Sequence, residues 1–206
     1  MKTILNDRKN IEDILLKKLN DNFSKIKEKI NSQRTIADYT ENFVRIGFLD
    51  YLKTKNIKID IIKLEPKNEK SIEDMKYNEI LFDIKSSLIT NNRPKNLISP
   101  FVLLKNIEKM KKLIYIFSKY EKIDNKIIVK KVNIRHFQEL NFNNQKELSY
   151  TGTIGKGQLQ FKSLLETYNF DTIDNIKKIV VQKSIEANDR AIKQKLKDNE
   201  FLLKLI

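Results

Sequence analysis

The hydrophobic pattern of this chain changes period near residue 56, and that change limits the folds open to it. Before it, Ile11, Leu15, Leu19, Phe23, Ile26 and Ile30 recur at helical spacing and predict a long amphipathic helix over 9–30. Phe43, Ile46, Leu49 and Leu52 predict a second helix over 37–56 with those four side chains inside and Glu41 in its first turns. From Asn56 the period becomes two: Ile57, Ile59 and Ile61 alternate with Lys58, Asp60 and Ile62, which predicts a strand over 56–64. A chain that commits to both periods must lay helices on a sheet.

The later segments extend this reading. A polar stretch over 65–78 reads as a loop, and EILFDIKSS reads as a strand with Ile80, Phe82 and Ile84 on one face and Leu81, Asp83 and Lys85 on the other. After a polar loop, Ser99 is placed to cap a helix whose first residue is Pro100. LIYIFSKY and KIIVKKVNI supply two more strands across the turn-like EKIDN, and a short helix is expected around 134–140. Three of the four glycines fall in YTGTIGKGQLQFKSL, before a basic helix expected over 172–198. The order predicts one α/β layered domain with a mixed sheet: a helical segment over 1–35, a core over 36–165 and a basic helix within 170–206.

Composition narrows the chemistry. With no Cys, disulfides, thiolate metal sites and Cys nucleophiles are excluded, and one His cannot build an imidazole cluster. No apolar run approaches the ~20 residues of a membrane-spanning helix, and MKTILNDRKN lacks the apolar core of a secretory signal, so a cytoplasmic location is expected. The net charge of +14 attracts polyanions, nucleic acid first among them. A Lys-, Asn- and Ile-rich composition can also follow from AT-rich coding.

Hydrolysis of a phosphodiester needs a divalent ion, and Mg²⁺ takes hard oxygen ligands from a few carboxylates. Asp60 and Asp83, on strands expected to be neighbours, can share one ion, and the backbone carbonyl of Ile84 can add a third oxygen. Lys85 lies on the same strand face as Asp83, where an ammonium can orient water and offset charge on a pentavalent phosphate. An acid-x-Lys triplet also occurs on any solvated strand face. Asp74 competes with Asp60 for the first acidic position; Asp60 is preferred because its surroundings alternate like a strand while those of Asp74 read as a turn.

Taken in order, a helix bearing Glu41, a strand bearing Asp60 and a strand bearing Asp83-Ile84-Lys85 resemble the core of the PD-(D/E)xK nucleases. Within that superfamily, IDIIKLEPKNEK with ILFDIKSSLIT is similar to the active-site hairpin of the EcoRV type, and TENFVRIGFLDYLKTK resembles the preceding helix in the EcoRV and HincII types of type II restriction endonuclease. NLIS at 96–99, YTGTIGKGQLQF at 150–161 and NDRAIKQKL resemble HincII segments in the same order. Ile59 stands where the superfamily's name has Pro. The resemblance implies Mg²⁺-dependent cleavage of both strands of a short palindromic site in double-stranded DNA, with 5′-phosphate, 3′-hydroxyl and blunt ends. It also implies a homodimer, a companion DNA methyltransferase, and an outer-shell or second-metal role for Glu41. A repair or mobile-element nuclease of the same superfamily, or a non-catalytic basic protein that binds nucleic acid by charge, would share parts of this pattern.

Candidate DNA contacts cluster in two places. Arg93 and Asn96, with Asn91 and Asn92, follow the active-site strand in a loop that can reach a groove, although loop Asn residues also simply form turns. GTIGKG is no phosphate-binding Walker loop, since Gln158 follows Gly157 where Lys is required. It reads as a tight turn near DNA backbone with Lys156 on phosphate. Gln158 and Gln160 share a strand face and can either read base edges or pack in a wet groove.

Overall fold

The computed structural model describes residues 1–26, 30, 32–65, 72–89, 95–143, 148–151, 158–161 and 169–204, without the side chains of Ile62, Lys95, Asn96, Leu97, Gln158 and Phe161. Its elements, in chain order, begin with helices α1 (Lys2–Asn6), α2 (Arg8–Phe23) and α3 (Gln33–Thr54), a 3-10 turn (Ile61–Leu64), and strands β1 (Met75–Tyr77), β2 (Ile80–Leu88) and β3 (Lys95–Ile98). Then come α4 (Pro100–Lys105), α5 (Ile107–Met110), β4 (Leu113–Ile123), β5 (Lys126–His136), a 3-10 turn (Phe137–Glu139), β6 (Leu148–Thr151), β7 (Gln158–Phe161) and α6 (Ile173–Leu203). The chain divides into two compact units: Met1–Asn91 with Lys112–Phe137, and Asn92–Lys111 with Gln138–Ile206. None of the described helices is long and apolar enough to cross a membrane.

The first unit carries a mixed four-stranded sheet in the order β1-β2-β4-β5. β2 runs parallel to β4 and antiparallel to β1, and β4 pairs antiparallel with β5. The β4–β5 hairpin closes through Asp124 and Asn125, both at positive φ (48° and 67°), the geometry that suits the right-handed twist of two long strands. Ile84, Phe82, Ile114, Ile116 and Ile134 form a core with Leu15, Leu19, Val44 and Phe48 from α2 and α3.

β5 is an edge strand, and α2 covers its outward backbone groups with polar side chains on one helical face. Glu12 Oε1 accepts from Ile134 N at 2.7 Å, and the Arg8 guanidinium reaches within 3.5 Å of the Ile134 carbonyl. Asn20 accepts from Val129 N at 2.8 Å and donates to the Val129 carbonyl at 2.9 Å. The spacing 8, 12, 20 keeps these residues on one side of the helix.

The second unit carries the antiparallel sheet β3-β7-β6. In it, Ser99 caps α4 as expected, its Oγ accepting from Val102 N at 3.2 Å. Thr172 caps α6 in the same way through Asn175 N.

The short helix expected around 134–140 is instead the end of β5 followed by the 3-10 turn Phe137–Glu139, and three further sequence expectations need correction. The first long helix stops at Phe23: Asn20, Asn22 and Ser24 compete with the helical backbone, and Ile30 is buried from outside the helix. α3 begins at Gln33, capped by Ser32, and buries Val44, Gly47, Phe48 and Tyr51, leaving Phe43 and Leu49 only partly covered. Gly47 sets that rotation, because a Cβ there would lie 2.8 Å from Leu15 Cδ2 and 3.3 Å from Lys18 Cβ. The third correction is the strand expected over 56–64. Residues 57–60 are irregular and lead into the 3-10 turn, because the antiparallel edge of β2 is already taken by β1 and an alternating run without a partner has no ladder to join.

Candidate active site

The arrangement of acids follows from how β1 ends against β2. Met75 pairs with Phe82, and the next residue back, Asp74, donates its backbone N–H to the Phe82 carbonyl at 2.8 Å. Beyond that bond β1 stops, while β2 continues beside β4 as far as Leu88. On β2, alternate residues direct their backbone groups to the same side, so Ile84 presents its N–H and carbonyl on the side vacated by β1. The Asp74 carboxylate takes that N–H, Oδ2 to Ile84 N at 2.7 Å. By the same alternation the Ile84 carbonyl faces that side.

The side chains obey the alternation expected from sequence. Phe82 and Ile84 enter the core, and Asp83 and Lys85 share the opposite face. Asp83 is 5% exposed and paired through Oδ1 with the Lys85 ammonium, which also lies 3.9 Å from Asp74 Oδ2. One cation thus sits against two carboxylates.

The electrostatics show how tight the group is. Burial drives the Asp83 pKa well above the usual carboxylate range; Lys85 opposes the shift, and the charge and hydrogen bond of the Asp74 carboxyl add to it. Burial works against the charge on Lys85, but Asp83, Asp74 and Glu41 outweigh it and hold the ammonium pKa above its ordinary value. Glu41, half-buried on α3, is pushed up to about 7 by desolvation and by Asp74, against Arg45 and Lys85. Glu41, Asp74, Asp83 and Lys85 therefore form one coupled cluster.

Asp60 stands apart from it. It is exposed at the entrance to the 3-10 turn, its carbonyl accepts from Lys63 N at 3.1 Å, and it lines a shallow depression with Leu49, Lys53 and Ile57. Expecting Asp60 on the strand beside Asp83 is corrected: that place belongs to β1, and Asp74, just before it, is the acid that meets Lys85 there. The signal for Asp74 was faint, because β1 is three residues long and a period of two cannot show in so short a run.

Two residues not singled out in the sequence complete the surroundings. Tyr115 on β4 is the register partner of Asp83 and is 1% exposed, its ring stacked on Phe117 at 5.4 Å. Burial, then Asp83 and Asp74, raise its hydroxyl pKa well above normal. Arg45, one turn after Glu41 on α3, donates from Nη2 to the Asp74 carbonyl at 2.8 Å.

The donor set fits a hard divalent ion. The carboxyls of Asp74 and Asp83 both face the Lys85 ammonium, and two acids held around one cation, one of them buried, favour a shared divalent ion. With the Ile84 carbonyl they offer three oxygens on one side of β2. Among the described residues no three His, Cys, Asp or Glu side chains gather as a metal cluster.

Of the expected DNA contacts, Arg93 and Lys156 lie outside the described residues. Asn96 on β3 and Gln160 on β7 are register partners, and Gln160 also pairs with Ser149 on β6, while Gln158 pairs with Thr151. Asn96 and Gln160, from separate segments, thus meet across one ladder.

The sequence matches no family model and no curated protein. Among solved structures, the NlaIV restriction endonuclease is similar at a TM-score of 0.52 over 79% of this chain and 70% of that one, with 10% sequence identity. Flanked by helices and carrying this likeness, the mixed β1-β2-β4-β5 sheet is a restriction-endonuclease-like fold.

Proposed function

We propose that this chain is a metal-dependent type II restriction endonuclease, a phosphodiester hydrolase acting on double-stranded DNA. The observation that carries the reading is the cluster of Asp74, Asp83 and Lys85 where β1 ends beside β2, within a fold similar to that of a restriction endonuclease. Asp74 and Asp83 would hold Mg²⁺ with the Ile84 carbonyl. Bound there, the ion supplies Lewis-acid stabilisation of charge on the phosphate.

The chain's own groups account for the remaining chemistry. Lys85, held by two carboxylates, presents a fixed ammonium that orients the attacking water and offsets charge building on the phosphate oxygens. Glu41, with a pKa of about 7, can take a proton at its carboxylate near neutral pH or act on the outer shell of the metal. Tyr115 and Phe117 close the site from β4 and keep water from screening these charges. Asp60 has no part in this scheme.

Reading a short palindrome with one chain of this size requires two-fold symmetry, so the active species is a homodimer. The whole chain, 1–206, acts as one restriction-endonuclease-like domain, with Arg93, Asn96, Lys156, Gln158 and Gln160 contacting DNA and the net charge of +14 drawing in the backbone. Ends with 5′-phosphate and 3′-hydroxyl, blunt as in the EcoRV and HincII types that the motifs resemble, and a companion methyltransferase complete the reading.

Purified protein with Mg²⁺ should cut bacteriophage DNA into discrete bands. Asp74→Ala, Asp83→Ala and Lys85→Ala should each abolish cutting, and Asp60→Ala should leave it intact. Undiminished cutting by Asp74→Ala or Asp83→Ala overturns the assignment; binding without any metal-dependent cleavage overturns the enzyme.

A further inference from the structure

We infer that Arg45 is a positioning residue for the metal-binding acid Asp74, linking the helix that carries Glu41 to the hairpin that carries the acidic pair; this rests on the function proposed above. Asp74 immediately precedes a three-residue strand, a place where few ladder hydrogen bonds are available to hold the backbone. It is held there at three points. Its N–H bonds to the Phe82 carbonyl, its carboxylate to Ile84 N, and its own carbonyl to Arg45 Nη2 at 2.8 Å. The first two bonds tie Asp74 to β2 alone. The third ties it to α3, from a side chain one helical turn after Glu41.

The guanidinium suits the task. It is planar and permanently charged, so its reach and donor direction do not change with pH. Its Nε is buried and without a hydrogen-bond partner among the described residues, so a single contact through Nη2 orients the group. A cation here also favours the charged form of Glu41 without entering the Asp83–Lys85 pair. Removing it frees the carbonyl of Asp74 and lets the carboxylate drift from the position it shares with Asp83. The effect falls on assembly of the oxygen donors and leaves Lys85 in place.

Outer-shell partners of metal ligands typically change metal affinity by about 10- to 100-fold when removed. The test is Ca²⁺ binding by calorimetry on the full chain, beside the Mg²⁺ dependence of DNA cleavage, in wild type, Arg45→Ala and Arg45→Lys. Arg45→Ala should weaken Ca²⁺ binding and raise the Mg²⁺ requirement by that factor, with kcat at saturating Mg²⁺ within a few-fold of wild type. Arg45→Lys should recover part of the affinity. If Arg45→Ala does not fold, Arg45→Gln, which keeps length and a donor, carries the same measurement. A wild type that binds Ca²⁺ and cuts DNA, beside a variant with unchanged Ca²⁺ affinity, overturns this inference alone. A wild type that neither binds Ca²⁺ nor cuts DNA overturns the proposed function with it.

Discussion

Replacing Asp83 by Asn separates what the acidic pair does for binding from what it does to the fold. Asp83 is 5% exposed, and its pKa is raised, by burial first, well above 3.8. A carboxyl raised in this way contributes stability that is fully present below the unfolded pKa and is lost as pH rises through the folded one. In the metal-free protein, ionising this buried carboxyl therefore costs stability. Lys85 offsets part of that cost, but it is 27% exposed and keeps Asp74 at 3.9 Å when Asp83 is neutral, so its charge is not stranded. Asp83→Asn should thus melt in EDTA no lower than wild type at pH 7.5, and its stability should vary less above pH 4. Metal acts in the opposite direction. A ligand at 100 times its Kd stabilises by about 2.7 kcal/mol, and at roughly 2–4 °C per kcal/mol for a chain of this length this raises the wild-type melting temperature by about 5–11 °C in Ca²⁺. The variant should show no such rise. Scanning calorimetry with and without Ca²⁺ measures both effects. A wild-type Ca²⁺ shift in Asp83→Asn, or a loss of several degrees in EDTA, refutes the reasoning.

Glu41, at about 7, has the same sign: its favourable contribution is present below 4.5 and lost as pH rises through 7, so Glu41→Gln should gain stability over wild type at pH 8 more than at pH 5 in urea titrations. Glu12→Ala leaves Ile134 N without its buried acceptor and should lose about 1–3 kcal/mol, whereas Glu12→Gln keeps an acceptor in place and should stay within about 1 kcal/mol of wild type. At Gly47 the helix propensity gained by Ala, about 1 kcal/mol, competes with about 1–3 kcal/mol of overpacking against a fully buried Leu15. Gly47→Ala should therefore lose about 1 kcal/mol, and a stabilised variant would mean that α2 and α3 can part without cost.

The strands that carry the chemistry were legible where burial is one-sided and the run is long. β2 shows its two faces in EILFDIKSS, and β4 and β5 are eleven residues each, long enough for propensity and turn signal to agree. Ser99 and Pro100 announced α4. Illegible were features set by what lies across the fold. The alternation at Ile57, Ile59 and Ile61 is as good as that of β2, yet it finds no partner, because hydrogen bonding to β2 is taken by a run of three residues that carries no pattern of its own. Asp74 ranks below Asp60 in the sequence for that reason. Arg45 and Tyr115 gave no local signal, since each matters through a residue distant in sequence. The inward face of α3 was misjudged because Phe43 and Ile46 outweigh Gly47 in hydrophobicity, while close approach of α2 is decided by the residue without a side chain.

An eleven-residue edge strand rich in Ile, Val and Lys is a template on which other chains can polymerise. With Arg8, Glu12 and Asn20 occupying Ile134 and Val129, α2 works as a built-in chain terminator for that template. A second copy therefore cannot extend the sheet past β5 where Ile134 and Val129 are occupied. Cutting the chain after residue 24 would uncover the template, so the shortened protein should form thioflavin-positive aggregates at concentrations where the whole chain stays dispersed.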